Sequence, residues 1–156
     1  MLQAIRNADV VGIPKLRLPH FQPLAFSVLR ATGIDYRQLA LTDSLINYKL
    51  YASGHFSRIL QGRHVLTVGN LAEPFAEFLA KNGVQITGAV APVAGVRDVP
   101  RVMEAIRQND NFDIALISAG ISAVMLVQQV ATQMGKVAID FGHLADSMLK
   151  GESPFF

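Results

Sequence analysis

The feature that most constrains this chain is a strict alternation of short apolar, β-branched runs with longer segments of helical periodicity. The runs are residues 9–14 (DVVGIP), 39–42 (LALT), 64–69 (HVLTVG), 84–93 (VQITGAVAPV), 113–120 (DIALISAG) and 136–142 (KVAIDFG). Helical patterns fill the intervals at residues 21–31, 45–60, 71–82, 99–108, 121–134 and 144–150. Near-continuous apolar runs suit strands covered on both faces, and the helices between them are the usual crossovers of a parallel sheet. The alternation therefore predicts a layered α/β fold. It should hold a mostly parallel sheet of about six strands, with helices on both faces, in one domain over residues 1–156.

Local punctuation agrees with this reading. Asn70 precedes LAEPFAEFLAKNG with Glu73 three positions on, the spacing of a capping box, and Asn82-Gly83 ends that helix. Pro100 falls early in the helix after Asp98, where a missing N–H costs little. LQAIRNA, at the start, reads as a short amphipathic helix, so the chain opens in the middle of the βα rhythm. It is either a natural minimal form or the C-terminal portion of a longer domain.

Composition removes several classes. At 51% hydrophobic residues the chain is not disordered, and without cysteine it has neither a disulfide scaffold nor a thiolate zinc site. A net charge of +2, from 14 basic against 12 acidic residues, makes no case for nucleic-acid binding. The start carries Arg6, Asn7 and Asp9 where a secretory signal needs an apolar stretch, and no apolar run is long enough for a membrane span. The cytoplasm is the expected location.

In open parallel sheets, ligands bind outside the carboxyl ends of the strands, next to helix N-termini. The residues following each run are Gly12 and Pro14; Asp43, Ser44 and Asn47; Gly69 and Asn70; Pro92 and Gly95; Ser118, Ala119 and Gly120; Asp140, Gly142 and His143. Small residues dominate, which suits the approach of backbone N–H groups to a phosphate or diphosphate. Each also has a structural reading. Asn70 and Asp43-Ser44 read equally as helix caps, and Ser118-Ala119-Gly120 as a tight turn. His143 is placed to ligate a metal or bond a diphosphate oxygen, or simply to cap the last helix. Lys15, Arg17 and Arg97 leave strand ends and offer charge to phosphate, or are solvated surface charges. No G-x-G-x-x-G, P-loop, nucleophile elbow, H-E-x-x-H, D-x-D or D-x-E occurs.

Taken in order, LTDSLINYKLYASG, GRHVLTVGNLAEPFAEFL, the SAG turn and GKVAIDFGHLAD resemble the C-terminal part of bacterial GT-D-type glycosyltransferase domains. The resemblance runs over residues 4–152, and GKVAIDFGHLAD is its most specific piece. It implies a Rossmann-like domain that binds a nucleotide sugar, usually uridine-linked, and transfers the sugar with help from a divalent cation, manganese or magnesium. The family positions that carry over are Asn47, Gly69, Asn70, Ser118, Ala119, Gly120, Gly142 and His143. Family members also carry an R-x-G-D-G-E-like segment whose D-x-E supplies acidic metal chemistry, and nothing here matches it.

The leading expectation is a nucleotide-sugar-binding domain related to glycosyltransferases, truncated or inactive as it stands. A second class is a non-catalytic binding or interaction module. A third is an S-adenosylmethionine-dependent methyltransferase, for which Val68-Gly69-Asn70 fits but the acidic residue at the next strand end is missing. A missing first βα unit would leave apolar surface, so a homodimer burying the N-terminal helix or the helix at 121–134 is expected.

Overall fold

The structure, a computed structural model, describes residues 1–15, 20–153 and 155. The elements run α1 (Leu2–Asn7), β1 (Val11–Ile13), α2 (Phe21–Ala31), β2 (Leu41–Asp43), α3 (Ile46–Ala52), α4 (His55–Leu60) and β3 (His64–Gly69). They continue α5 (Ala72–Lys81), β4 (Gln85–Val90), α6 (Val99–Gln108), β5 (Ile114–Ser118), α7 (Ile121–Met134), β6 (Val137–Asp140) and α8 (Leu144–Leu149). Every strand falls on an expected run, β2 extending one residue past its run to Asp43, and α2, α6 and α7 have the expected bounds.

All strand pairings among the described residues are parallel. They form two sheets rather than one: β1 with β2, and a four-stranded sheet in the order β4-β3-β5-β6. The division follows from where the chain goes after β2. It passes through α3 and α4 into β3, an inner strand of the larger sheet, which then grows outward on both sides. The helix expected at 45–60 is broken in two. Gly54 adopts a left-handed φ of 70°, which ends α3 with a bond from its N–H to the Tyr51 carbonyl.

Strand alternation divides the core. Leu66 and Val68 of β3, with Ala115 and Ile117 of β5, face Val102, Met103 and Ile106 of α6 and Ala123, Leu126 and Val130 of α7. Val65, Ile114 and Leu116 face the other way, against Phe56 and Leu60 of α4, Phe75 and Leu79 of α5, and Leu144 and Met148 of α8. Both faces of the larger sheet are thus covered, which is why its strands read as continuous apolar runs.

Phe141, just past β6, is 1% exposed and packs between Phe56 and Phe75, with ring centroids 4.8 and 5.4 Å away. These contacts hold the β6–α8 turn to the core. Helix α1 lies on α7, and Arg6 donates to the Thr32 carbonyl at the end of α2. Among the described residues, no helix is long and apolar enough to cross a membrane.

Candidate functional site

The order β4-β3-β5-β6 has a topological switch point between β3 and β5, because the chain leaves β3 toward one edge and returns to build the other. The carboxyl ends there are Gly69 and Ser118, paired in register. Gly69 has a φ of 142°, and a Cβ on it would lie 2.2 Å from the Ser118 carbonyl oxygen. Only glycine fits. Its first duty is to let two strand ends meet, and the meeting brings Asn70 alongside the 118–120 turn.

Asn70 does not cap α5. Leu71 is the N-cap residue, with no side-chain cap bond, while the Asn70 Oδ1 accepts from the Val93 N–H at 2.8 Å. The reason lies in β4, which ends at Val90 and leaves the Val93 N–H without a ladder partner. The capping box expected of Asn70 and Glu73 is therefore replaced by a tie across the crest. Thr67 supplies the local fastening, donating from Oγ1 to the Ala72 carbonyl at 2.9 Å.

The loop after β4 holds Pro92, in a cis peptide after Ala91, and Gly95. The Asp98 carboxylate accepts from the Ala94 N–H at 3.0 Å and from Arg101 Nε at 2.7 Å, and Arg101 also donates to the Pro92 carbonyl. The Arg101 guanidinium, helped by the Ala94 N–H, brings the Asp98 pKa down to about 2. Arg97 makes no ion pair among the described residues, and it lines a cleft of about 370 Å³ between α6 and α7 with Met103 and Met125.

At the β6 end, Asn47 of α3 is buried and donates from Nδ2 to the Phe141 carbonyl at 2.6 Å. It also stands 3.5 Å from where a Cβ on Gly142 would be. The structure thus brings Asn47, across 94 residues of sequence, to Phe141 and the adjoining Gly142-His143 turn. His143 is exposed at the N-cap of α8 and makes no side-chain cap bond, so the capping alternative fails. Asp140 accepts from the Gly142 N–H at 3.2 Å. Asp140 is an exposed residue, yet the protein packed around it strips enough hydration to raise its pKa.

Asp43 and Ser44 serve their own unit. The Asp43 carboxylate accepts from the Leu45 N–H at 2.8 Å and pairs with Lys49, with Lys15 3.9 Å away. The Lys49 ammonium is the main cause that lowers its pKa. Ser44 donates its N–H to the Ile13 carbonyl. Arg17 lies outside the described residues.

The residue set does not fit a cation held by protein ligands. Among the described residues, no three His, Asp or Glu side chains are grouped to hold a metal ion, and Asp43 is already committed to lysine. Around Gly69 and the 118–120 turn the groups on offer are neutral, namely glycines, an amide, hydroxyls and backbone N–H groups, while Asp140 and His143 stand at the β6 end. Sequence reasoning missed one member, Ser122, which is fully buried in the first turn of α7. Its position beside the SAG turn was the available signal.

A parallel sheet wound on both faces, with a small-residue crest at its switch point, defines a Rossmann-like α/β domain. The family model for the GT-D-like group, described as a GT-D fold-like domain, matches residues 1–148, and the chain belongs to that family. Among solved structures it is similar to a glycosyltransferase (DUF1792) from Streptococcus sanguinis, at 18% identity and a TM-score of 0.61, covering 86% of this chain and 54% of that one. It is also similar to a selenomethionine structure of domain of unknown function 1792, at 17% identity and a TM-score of 0.69, covering 99% and 66%. A further structure, described as showing that this highly conserved domain has a distinct glycosyltransferase fold, matches at 16% identity, a TM-score of 0.69 and the same coverage. The chain thus spans between 54% and 66% of the length of these structures. No curated protein matches it.

Proposed function

We propose that the crest at the carboxyl ends of β3, β5 and β6 binds the diphosphate of a nucleotide sugar, uridine-linked as in the family reading. The observation that carries this is the Gly69–Ser118 switch point, where two strand ends meet at the start of α7 in a chain of the GT-D-like family. Gly69, Asn70, Ser118, Ala119 and Gly120 would face the diphosphate, with Asn47, Gly142 and His143 at the β6 side. Asp43 and Ser44 shape the neighbouring β2–α3 turn. His143 is the one crest residue offered to a divalent cation, and by itself it would hold one poorly, so transfer by this chain alone would be slow.

The test is calorimetric titration of uridine diphosphate and its sugars, with and without manganese. Binding to the parent that is lost in Gly120→Val supports the reading. Equal binding by both puts the ligand elsewhere, because a side chain at Gly120 would project into open space at the crest. A non-catalytic binding module is the second reading, favoured by the lack of a grouped acidic ligand set among the described residues. Measurable transfer from uridine-linked sugars would reject it. A homodimer is proposed for the surface around α1 and α7, where Ile121 stays 59% exposed. Light scattering at micromolar concentration should give twice the 16.9 kDa chain mass; a single chain mass would reject the dimer.

A further inference from the structure

Two buried side-chain hydroxyls, Ser118 Oγ and Ser122 Oγ, have no hydrogen-bond partner among the described residues. An unsatisfied buried polar atom is rare enough to need a cause, and two within four residues of each other need a shared one. Ser118 ends β5 and Ser122 lies in the first turn of α7. By strand alternation Ser118 follows Leu116 toward the α5 and α8 face, whereas Ser122 sits one turn before Leu126 against the α6 and α7 face. They flank the Ala119–Gly120 turn from its two sides.

Ser122 is 0% exposed, in the first turn of a 14-residue helix. Helical Cα–Cβ bonds lean toward the N-terminus, so its hydroxyl is aimed at the helix start and the crest above it. Helical serines commonly bond back to the carbonyl four residues earlier. Ser122 does not, and that carbonyl, of Ser118, is the one packed against Gly69. The N–H groups of Ser122 and Ala123 close onto Ala119 and Gly120 carbonyls, while those of Gly120 and Ile121 precede any helical acceptor. Helix α7 itself has no charged residue, and the carboxylate at the neighbouring strand end, Asp140, accepts from the Gly142 N–H.

We infer that Ser122, with Ser118 and the first N–H groups of α7, forms a pocket for a phosphate-class oxyanion that is held by neutral donors and needs no cation. The inference rests on the nucleotide-sugar reading for the identity of the whole ligand, and names which end of that ligand this turn takes. Hydrogen bonds to an ionised acceptor are about twice as strong as neutral ones, which suits hydroxyls kept free of internal partners. The helix dipole adds to the same attraction.

The test titrates the full chain with inorganic pyrophosphate, and separately with uridine diphosphate glucose, in EDTA. Pyrophosphate should bind the parent, and bind Ser122→Ala and the Ser118→Ala/Ser122→Ala double variant roughly tenfold or more weakly. The ligand-free variants should melt at the parent temperature or above it, since an unpaired buried hydroxyl has been removed; a merely structural serine would lower it. Equal pyrophosphate binding by parent and variants overturns the inference, as does binding that appears only when manganese replaces EDTA. Serine-dependent pyrophosphate binding without binding of the sugar nucleotide upholds the inference and overturns the nucleotide-sugar reading. Binding of neither ligand overturns both.

Discussion

The two poles of the larger sheet are built on opposite plans. At the amino ends, charged side chains are spent on closing the strand starts. Lys136 donates to the Asp110 and Phe112 carbonyls and lies 4.7 Å over the Phe112 ring, and Asp113 accepts from the His64 N–H at 2.8 Å. The cleft there, about 790 Å³ and bordered by Arg58 and Arg63, is the larger of the two described. At the carboxyl ends, glycines bring strand tips together and two serine hydroxyls are left without partners. Cavity size and ligand chemistry therefore point to different poles. The chemistry decides between them, because orphaned donors at a switch point carry a physical demand for an acceptor and an open surface cleft does not.

Substitutions can separate the poles, and the largest effect should come from the core beneath the carboxyl end. Phe141→Ala removes a side chain stacked between Phe56 and Phe75 and should cost about 3–5 kcal/mol in urea denaturation. Gly69→Ala should cost about 2–4 kcal/mol, because a Cβ meets the Ser118 carbonyl and the backbone φ is unfavourable. Its ligand binding should fall with its stability. Lys136→Met at the amino pole should cost only about 1–2 kcal/mol, by orphaning two carbonyls. Titration of uridine diphosphate should be unchanged in it, and a clear loss would break the contrast between the poles.

The smallest effect is a pH dependence at the loop beside the crest. Asp98 has a folded pKa of about 2 against an ordinary 3.8, so its contribution is present above about pH 4 and lost as pH falls through about 2. Asp98→Asn should melt below the parent at pH 5, the gap closing by pH 2. A gap that persists below pH 2 would assign the effect to shape rather than charge.

Much of the site could be read in advance because it follows from strand ends. Gly69, Ser118, Gly120 and Gly142 had to lie at one edge once six runs were assigned to parallel strands. Asn70 and Asp43 were harder, since Asn and Asp serve caps, turns and long-range ties with the same atoms. Asn70 turned out to bond Val93, 23 residues away, and only the three-dimensional path of the loop after β4 selects that partner. The break at Gly54 was legible as Ser53-Gly54 and was overridden by the continuous helical periodicity around it.

The sequence by itself determined the α/β alternation, the parallel strands and the apolar faces, because side-chain periodicity is a local property of the backbone. Tertiary structure decided what lies beside what: the division into sheets of two and four strands, the Asn47–Phe141 bond across 94 residues, and the unpaired hydroxyl of Ser122. Such pairings depend on which edges the crossovers reach, and a polar atom is satisfied or orphaned only once every neighbour is in place.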